Sequence, residues 1–198
     1  MSTVLDLDQV TVRARRQAPA TLALEYDLLD PAGAVLGSAV QLGGSPVTAL
    51  RRWTARPGAA LPADYELRDG SGAVLAQVSR RPDGPLRRRM RAEVRLPGAA
   101  VLAVASFSVG ARSFAVHDPS GAPLAQLARA GRTLFAVTGP HRERYGTVDL
   151  EANTLTARRA GTAHPHSYRV SFDPAAPRPV RIATLALVVV FDSQRGGT

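Results

Sequence analysis

The stretch YDLLDPAGAVLGSAV, residues 26–40, decides the fold, because the chain repeats it. YELRDGSGAVLAQV returns at 65–78 and FAVHDPSGAPLAQL at 114–127. Each copy sets an aromatic residue before a short apolar stretch, then Asp-x-x-Gly, then Leu and a small residue. Asp30-Pro31-Ala32-Gly33 and Asp118-Pro119-Ser120-Gly121 are type I turn sequences. Asp accepts nearby backbone N–H bonds, Pro pre-sets φ, and the final Gly tolerates the left-handed conformation of a bulged hairpin. Asp69-Gly70-Ser71-Gly72 serves the same geometry. Before each turn, Tyr26, Leu28, Tyr65, Leu67, Phe114 and Val116 alternate with Asp27, Glu66 and Ala115, as on a half-buried strand. After it, Leu36/Ala39, Leu75/Val78 and Leu124/Leu127 break strict period 2. That spacing reads as a bulge and leaves the register of the second strand open.

The phrase is therefore a β-hairpin used at least three times. Its copies are too irregularly spaced for a stacked solenoid. Glu93–Leu96 and Val101–Phe107 around Pro97-Gly98 form another hairpin, and Thr133–Thr138 reads as a further strand. Thr147–Leu150 and Thr154–Ala157 flank Glu151-Ala152-Asn153 in the same way. With Val4–Val12 and Tyr168–Phe172, the expectation is roughly a dozen strands. Pro177-Arg178-Pro179 then precedes VRIATLALVVVF, residues 180–191. The run is too short to span a bilayer. Its length fits a helix, although Val188-Val189-Val190 also suits a strand. Proline at the start and apolar character on every side favour a fully buried helix. A mainly β, closed antiparallel barrel of about twelve strands, with a C-terminal hydrophobic helix at about 179–192 filling its lumen, satisfies all of this. Residues 1–198 are expected to form a single such domain.

Composition bounds the rest. The chain has 198 residues, 45% hydrophobic and 21% charged, as in globular proteins rather than disordered ones. It has no cysteine, which excludes disulfides, thiolate zinc sites and thiol nucleophiles. The N-terminus carries acids where a signal peptide would have a basic start, so a cytoplasmic location is expected. All 25 basic residues are arginine, and the net charge is +9. Absent lysine together with abundant Ala, Gly, Pro and Val suggests the codon bias of a GC-rich bacterial genome. A clustered arginine is thus either a drifted lysine or a selected guanidinium. A pI near 11.3 still attracts polyanions.

The pattern aromatic-x-Leu-x-Asp-x-x-Gly-x-x-Leu, repeated and followed by a C-terminal hydrophobic helix, resembles the tubby C-terminal-like superfamily. Within it the chain is most similar to LURP-one-related and phospholipid-scramblase-like proteins, best in Pro62–Arg81, Phe114–Arg129 and Pro179–Asp192. The resemblance implies a twelve-stranded barrel around a central helix. It also implies phosphoinositide binding through exterior basic residues, as in tubby domains, or calcium-dependent membrane attachment, as in scramblases. Two departures disfavour scrambling. There is no cysteine to palmitoylate, and His164–Pro179 contains one acid, Asp173, where a calcium loop needs several.

Arg80, Arg81, Arg87, Arg88, Arg89 and Arg91, with Arg95 further along, form the densest charge. Crowded arginines offer bidentate donors to phosphate. The bland alternative is a solvated outer face, with Glu93 among the arginines. Arg51-Arg52-Trp53 repeats the theme at smaller scale, Trp53 sitting at a headgroup interface or covering a barrel end. Nucleic acid is disfavoured, because aromatic content is only 5% and the aromatics fall at core positions. Asp30, Asp69 and Asp118 are explained by their turns. His164-Pro-His166 has no adjacent acid or cysteine to complete a metal site. Ser106, Ser108 and Ser113 lack a nucleophile elbow, and no Gly-rich phosphate loop occurs. No catalytic residue, metal or cofactor is expected. The first expectation is a non-enzymatic module whose arginine-rich exterior meets anionic phospholipid headgroups, peripheral to the inner face of the membrane. The alternative is a soluble protein-interaction or structural domain with no lipid role.

Overall fold

The computed structural model describes residues 4–15, 24–43, 62–83, 89–98, 100–108, 112–150 and 167–195, with 192–195 as backbone only. Twelve antiparallel strands close one barrel. They are β1 (Gln9–Ala14), β2 (Glu25–Leu29), β3 (Val35–Leu42), β4 (Ala63–Asp69), β5 (Val74–Asp83) and β6 (Arg89–Arg95). The second half is β7 (Val101–Ser108), β8 (Ser113–His117), β9 (Pro123–Arg129), β10 (Leu134–Thr138), β11 (Arg144–Leu150) and β12 (Ser167–Phe172). Sequence neighbours pair throughout, and β12 returns to β1 with Val170 opposite Val10. Every strand thus has two partners, and no sheet edge remains.

Because the strands alternate in direction, the connections sort to two ends. At the turn end lie the short hairpin loops. Asp30, Asp69 and Asp118 each accept, through Oδ1, a backbone N–H four residues on, at 2.8, 3.0 and 2.8 Å. Ser71 and Ser120 add hydroxyl donors at 2.6 and 2.7 Å. Gly33, Gly72 and Gly121 close these turns with φ of 86°, 85° and 88°, a conformation costly for any side chain. The broken period after each turn is a bulge, as expected. Register shifts strand Leu36, Leu75 and Leu124 as extra residues, and Leu102 and Tyr145 do the same in the remaining hairpins. All five pack on the core. The bulge is thus a device that folds one large apolar side chain over the turn end of the barrel.

The terminal segment forms α1 (Arg178–Arg195), four residues longer than the expected 179–192. Residues 180 to 190 are all buried, including Arg181 at 7% and Thr184 at 1% exposure. Burying one Val or Leu contributes about 1.5–3 kcal/mol, so this element dominates the core. With two arginines in its first turn, it is no bilayer span. Among the described residues no helix is long and apolar enough to cross a membrane. The expected strand Val4–Val12 is a correction: β1 begins only at Gln9, and Val4 and Leu5 are buried in a turn. The reason lies in Arg181. Its guanidinium donates to the carbonyls of Leu7 at 2.9 Å, Asp173 at 3.0 Å and Leu5 at 3.3 Å, while its Nε donates to Ala176 at 3.2 Å. Extended pairing would take those carbonyls away from a buried cation.

The helix is off-centre. It packs mainly against β5, β6 and β7. That sector presents Ala76, Ala92, Ala103 and Ala105 to the lumen, small enough to admit a helix backbone. On the far side Phe114, Leu127, Phe135 and Val148 fill the wider gap.

Candidate anion-binding surface

Hairpin β5–β6 carries the arginines that dominate the sequence, and alternation sorts them at once. Arg80 and Arg81 are adjacent in a strand, so they face opposite ways. Arg80 is buried at 4% exposure, and its guanidinium donates to the Val190 carbonyl at 2.9 Å, near the end of α1. It belongs to the lumen, a correction to its place in an exterior cluster. The guanidinium thereby ties β5 to the last two turns of α1.

Arg81, Arg89, Arg91 and Arg95 lie on the outer wall. Register sets Arg81 opposite Arg91, a repulsive placement taken alone. Carboxylates resolve it. Asp64 on β4 accepts two bonds from Arg81, at 2.7 and 2.9 Å. Glu93 accepts from Arg91 at 3.1 Å and from Arg95 at 2.8 Å. Glu66 takes Arg68 at 2.6 Å. Hydrogen bonds from Arg95, and secondarily Arg91, hold the Glu93 carboxyl below its ordinary range; Arg68 and then Gln77 do the same for Glu66. Each such exposed pair contributes only about 0.2–1 kcal/mol to stability, but together the three carboxylates offset three of the four arginine charges. Ser79, Arg81, Arg91, Glu93 and Arg95 line a shallow concavity of about 220 Å³, with a carboxylate already in it. Arg89 is exposed and makes no ion pair among the described residues. Arg87 and Arg88 lie outside the described residues, as do Arg51, Arg52, Trp53, His164, His166 and Thr154–Ala157.

A second group escaped the sequence reading. Arg112 precedes β8, Arg129 ends β9 and Arg132 sits in the β9–β10 turn, all at the barrel end opposite the Asp turns. The Arg129 N–H donates to the Arg112 carbonyl at 2.6 Å, and its guanidinium spans the turn to the carbonyls of Gly131 and Arg132 at 2.9 and 2.7 Å. All three arginines are exposed, and none makes an ion pair among the described residues. From residue 112 to 142 the only acid is Asp118, in a turn at the opposite end. Singly these arginines look incidental, and pairing of β8, β9 and β10 gathers them. The sequence signal was the scarcity of acids, not a density of arginines.

Charge follows the same axis. The described residues hold 17 arginines against 15 acids, a net of +2. The remaining +7 comes from eight arginines and Glu151, all in segments 16–23, 44–61, 84–88 and 151–166. Each of those segments joins two strands at the end where Arg112, Arg129 and Arg132 lie. Among the described residues no cluster of three His, Asp or Glu is placed to hold a metal ion.

No protein-family model matches the chain, and no curated protein matches it. One solved structure, a protein from Arabidopsis thaliana, is similar at 14% identity over 93% of this chain and 90% of its own, with a TM-score of 0.35. That is a coarse likeness of fold.

Proposed function

We propose that the protein is a non-enzymatic binding module, of the tubby C-terminal-like kind and nearest to LURP-one-related and scramblase-like proteins, that associates with anionic phospholipid headgroups. It acts in the cytoplasm, peripheral to the inner face of the membrane. What supports this reading is the one-ended charge: three exposed arginines with no ion pair among the described residues, at the end to which segments with eight arginines and one acid connect. A basic residue near an anionic bilayer contributes about 1 kcal/mol, and its field fades within a Debye length of about 8–10 Å. Basic residues gathered at one end can therefore reach a flat surface together, whereas arginines spread around a cylinder cannot. Sedimentation with phosphatidylcholine vesicles, with and without phosphatidylserine, tests it. Retention is expected only with phosphatidylserine, and is expected to vanish at high salt. No retention at low salt defeats the reading.

The alternative, a soluble protein-interaction or structural domain, is favoured by the carboxylate pairing of Arg81, Arg91 and Arg95. A wall whose arginines are mostly offset by their own carboxylates needs no lipid partner.

A further inference from the structure

The off-centre helix leaves a slot on its far side. We propose that this slot takes the end of an alkyl chain whose anionic head meets Arg112, Arg129 and Arg132, so that the ligand is a single-chain anionic amphiphile of the fatty-acid type. Phe114, Leu127, Phe135, Val148, Val188 and Phe191 line it, and Tyr168 contributes the only polar side-chain group of the lining. The cavity measures about 30 Å³. A dry cavity of about 150 Å³ takes a six-carbon benzene ring, and a water needs two to four polar partners, so this space suits about one methyl or methylene group better than water.

Phe114 and Phe191 pack as a tilted pair with ring centroids 4.6 Å apart, and Phe107 backs them at 4.8 Å from Phe191. Phe135 and Phe191 keep partial exposure and mark where the slot meets solvent. That mouth lies under the arginine group: Arg129 is the strand partner of Phe135, and Phe114 lies two residues beyond Arg112. An apolar slot beneath guanidinium groups that make no ion pair among the described residues is complementary to a chain with a charged head. The choice of an anionic head rests on the headgroup reading above; the slot itself does not.

Octanoate and octanol, both kept below their micelle or solubility limits, separate the parts when titrated against the full-length protein with valine methyl chemical shifts as readout. Val148 and Val188 are expected to shift with either ligand. Across a hexanoate, heptanoate and octanoate series, affinity should rise about fourfold at the length whose end reaches the slot and then level. Octanoate should bind more tightly than octanol at low salt, and R112Q/R129Q/R132Q should bring it to the octanol level. Val148→Phe fills the slot and is expected to abolish binding. Phe135→Ala, at a partly exposed position, widens it and should extend the rise to longer chains even if Val148→Phe fails to fold. Absence of any slot-methyl shift with octanoate overturns the proposal, as does binding that neither variant alters. Equal affinity for octanoate and octanol overturns the anionic head. Retention on phosphatidylserine vesicles without octanoate binding would sink this site and leave headgroup association standing.

Discussion

Two groups of arginine on one barrel behave in opposite ways. On the β4–β6 wall they are dense along the sequence, yet Asp64, Glu66 and Glu93 hold Arg81, Arg68, Arg91 and Arg95 in ion pairs. At the rim of β8–β10 they are sparse along the sequence, yet strand pairing gathers Arg112, Arg129 and Arg132 with no carboxylate paired to them among the described residues. Density in sequence is thus a poor guide to uncompensated charge in space. An antiparallel sheet brings residues from neighbouring strands within about 5 Å, so the partner strand decides which charges survive.

The sharpest way to break this comparison is to remove each group and measure vesicle retention. R112Q/R129Q/R132Q is expected to lower affinity for phosphatidylserine vesicles about a hundredfold, at about 1 kcal/mol per arginine. R81Q/R91Q/R95Q should change it by no more than a few fold. Equal losses would show that pairing does not silence the wall.

Arg80 gives the next effect in size, and it falls on stability alone. Arg80→Met keeps the stem and loses the bond to the Val190 carbonyl, costing about 1.5–3 kcal/mol by urea unfolding. Retention should stay at the wild-type level. A fall in retention with unchanged stability would return Arg80 to the outer surface.

Glu93→Gln turns a piece of wall into something like the rim. Releasing Arg91 and Arg95 should cost at most about 1 kcal/mol of stability while raising vesicle affinity a few fold at low salt. If retention does not rise, geometry and not pairing keeps the wall inert.

The smallest effect is on pH dependence. Glu66, Glu93, Asp69 and Asp118 are all held below their ordinary pKa, the first two mainly by arginine and the turn aspartates mainly by Ser71 and Ser120. A carboxyl with a depressed folded-state pKa stabilises fully above its unfolded value, about 4, and loses that contribution as pH falls through the folded value. Thermal midpoints should therefore be flat from neutral pH down to about 5 and drop below about 4. The drop should be smaller in D69N/D118N. A midpoint that rises on acidification contradicts the assignment.

Much of the barrel was legible because its signals are local. Asp30, Asp69 and Asp118 mark turns through bonds to residues within four positions, and the buried run at 180–190 has no polar face to misplace. Even the inward turn of Arg80 was readable, since its neighbour Arg81 must face the other way on a strand. The bulges at Leu102 and Tyr145 lacked the repeated phrase and were not readable, although they do the same work as the other three. Nor did β1 declare its start, because Val4 and Leu5 are apolar whether they pair in a sheet or plug an end.

What the sequence determined by itself is the hairpin, its repetition and a terminal segment that must be surrounded, because turn chemistry and hydrophobic runs act over a few residues. What only the tertiary structure decided is which arginines keep their charge and where the lumen has room. Ion pairing depends on strand register. The slot depends on a helix leaning against alanines supplied by three different strands, and neither is encoded in any single stretch of chain.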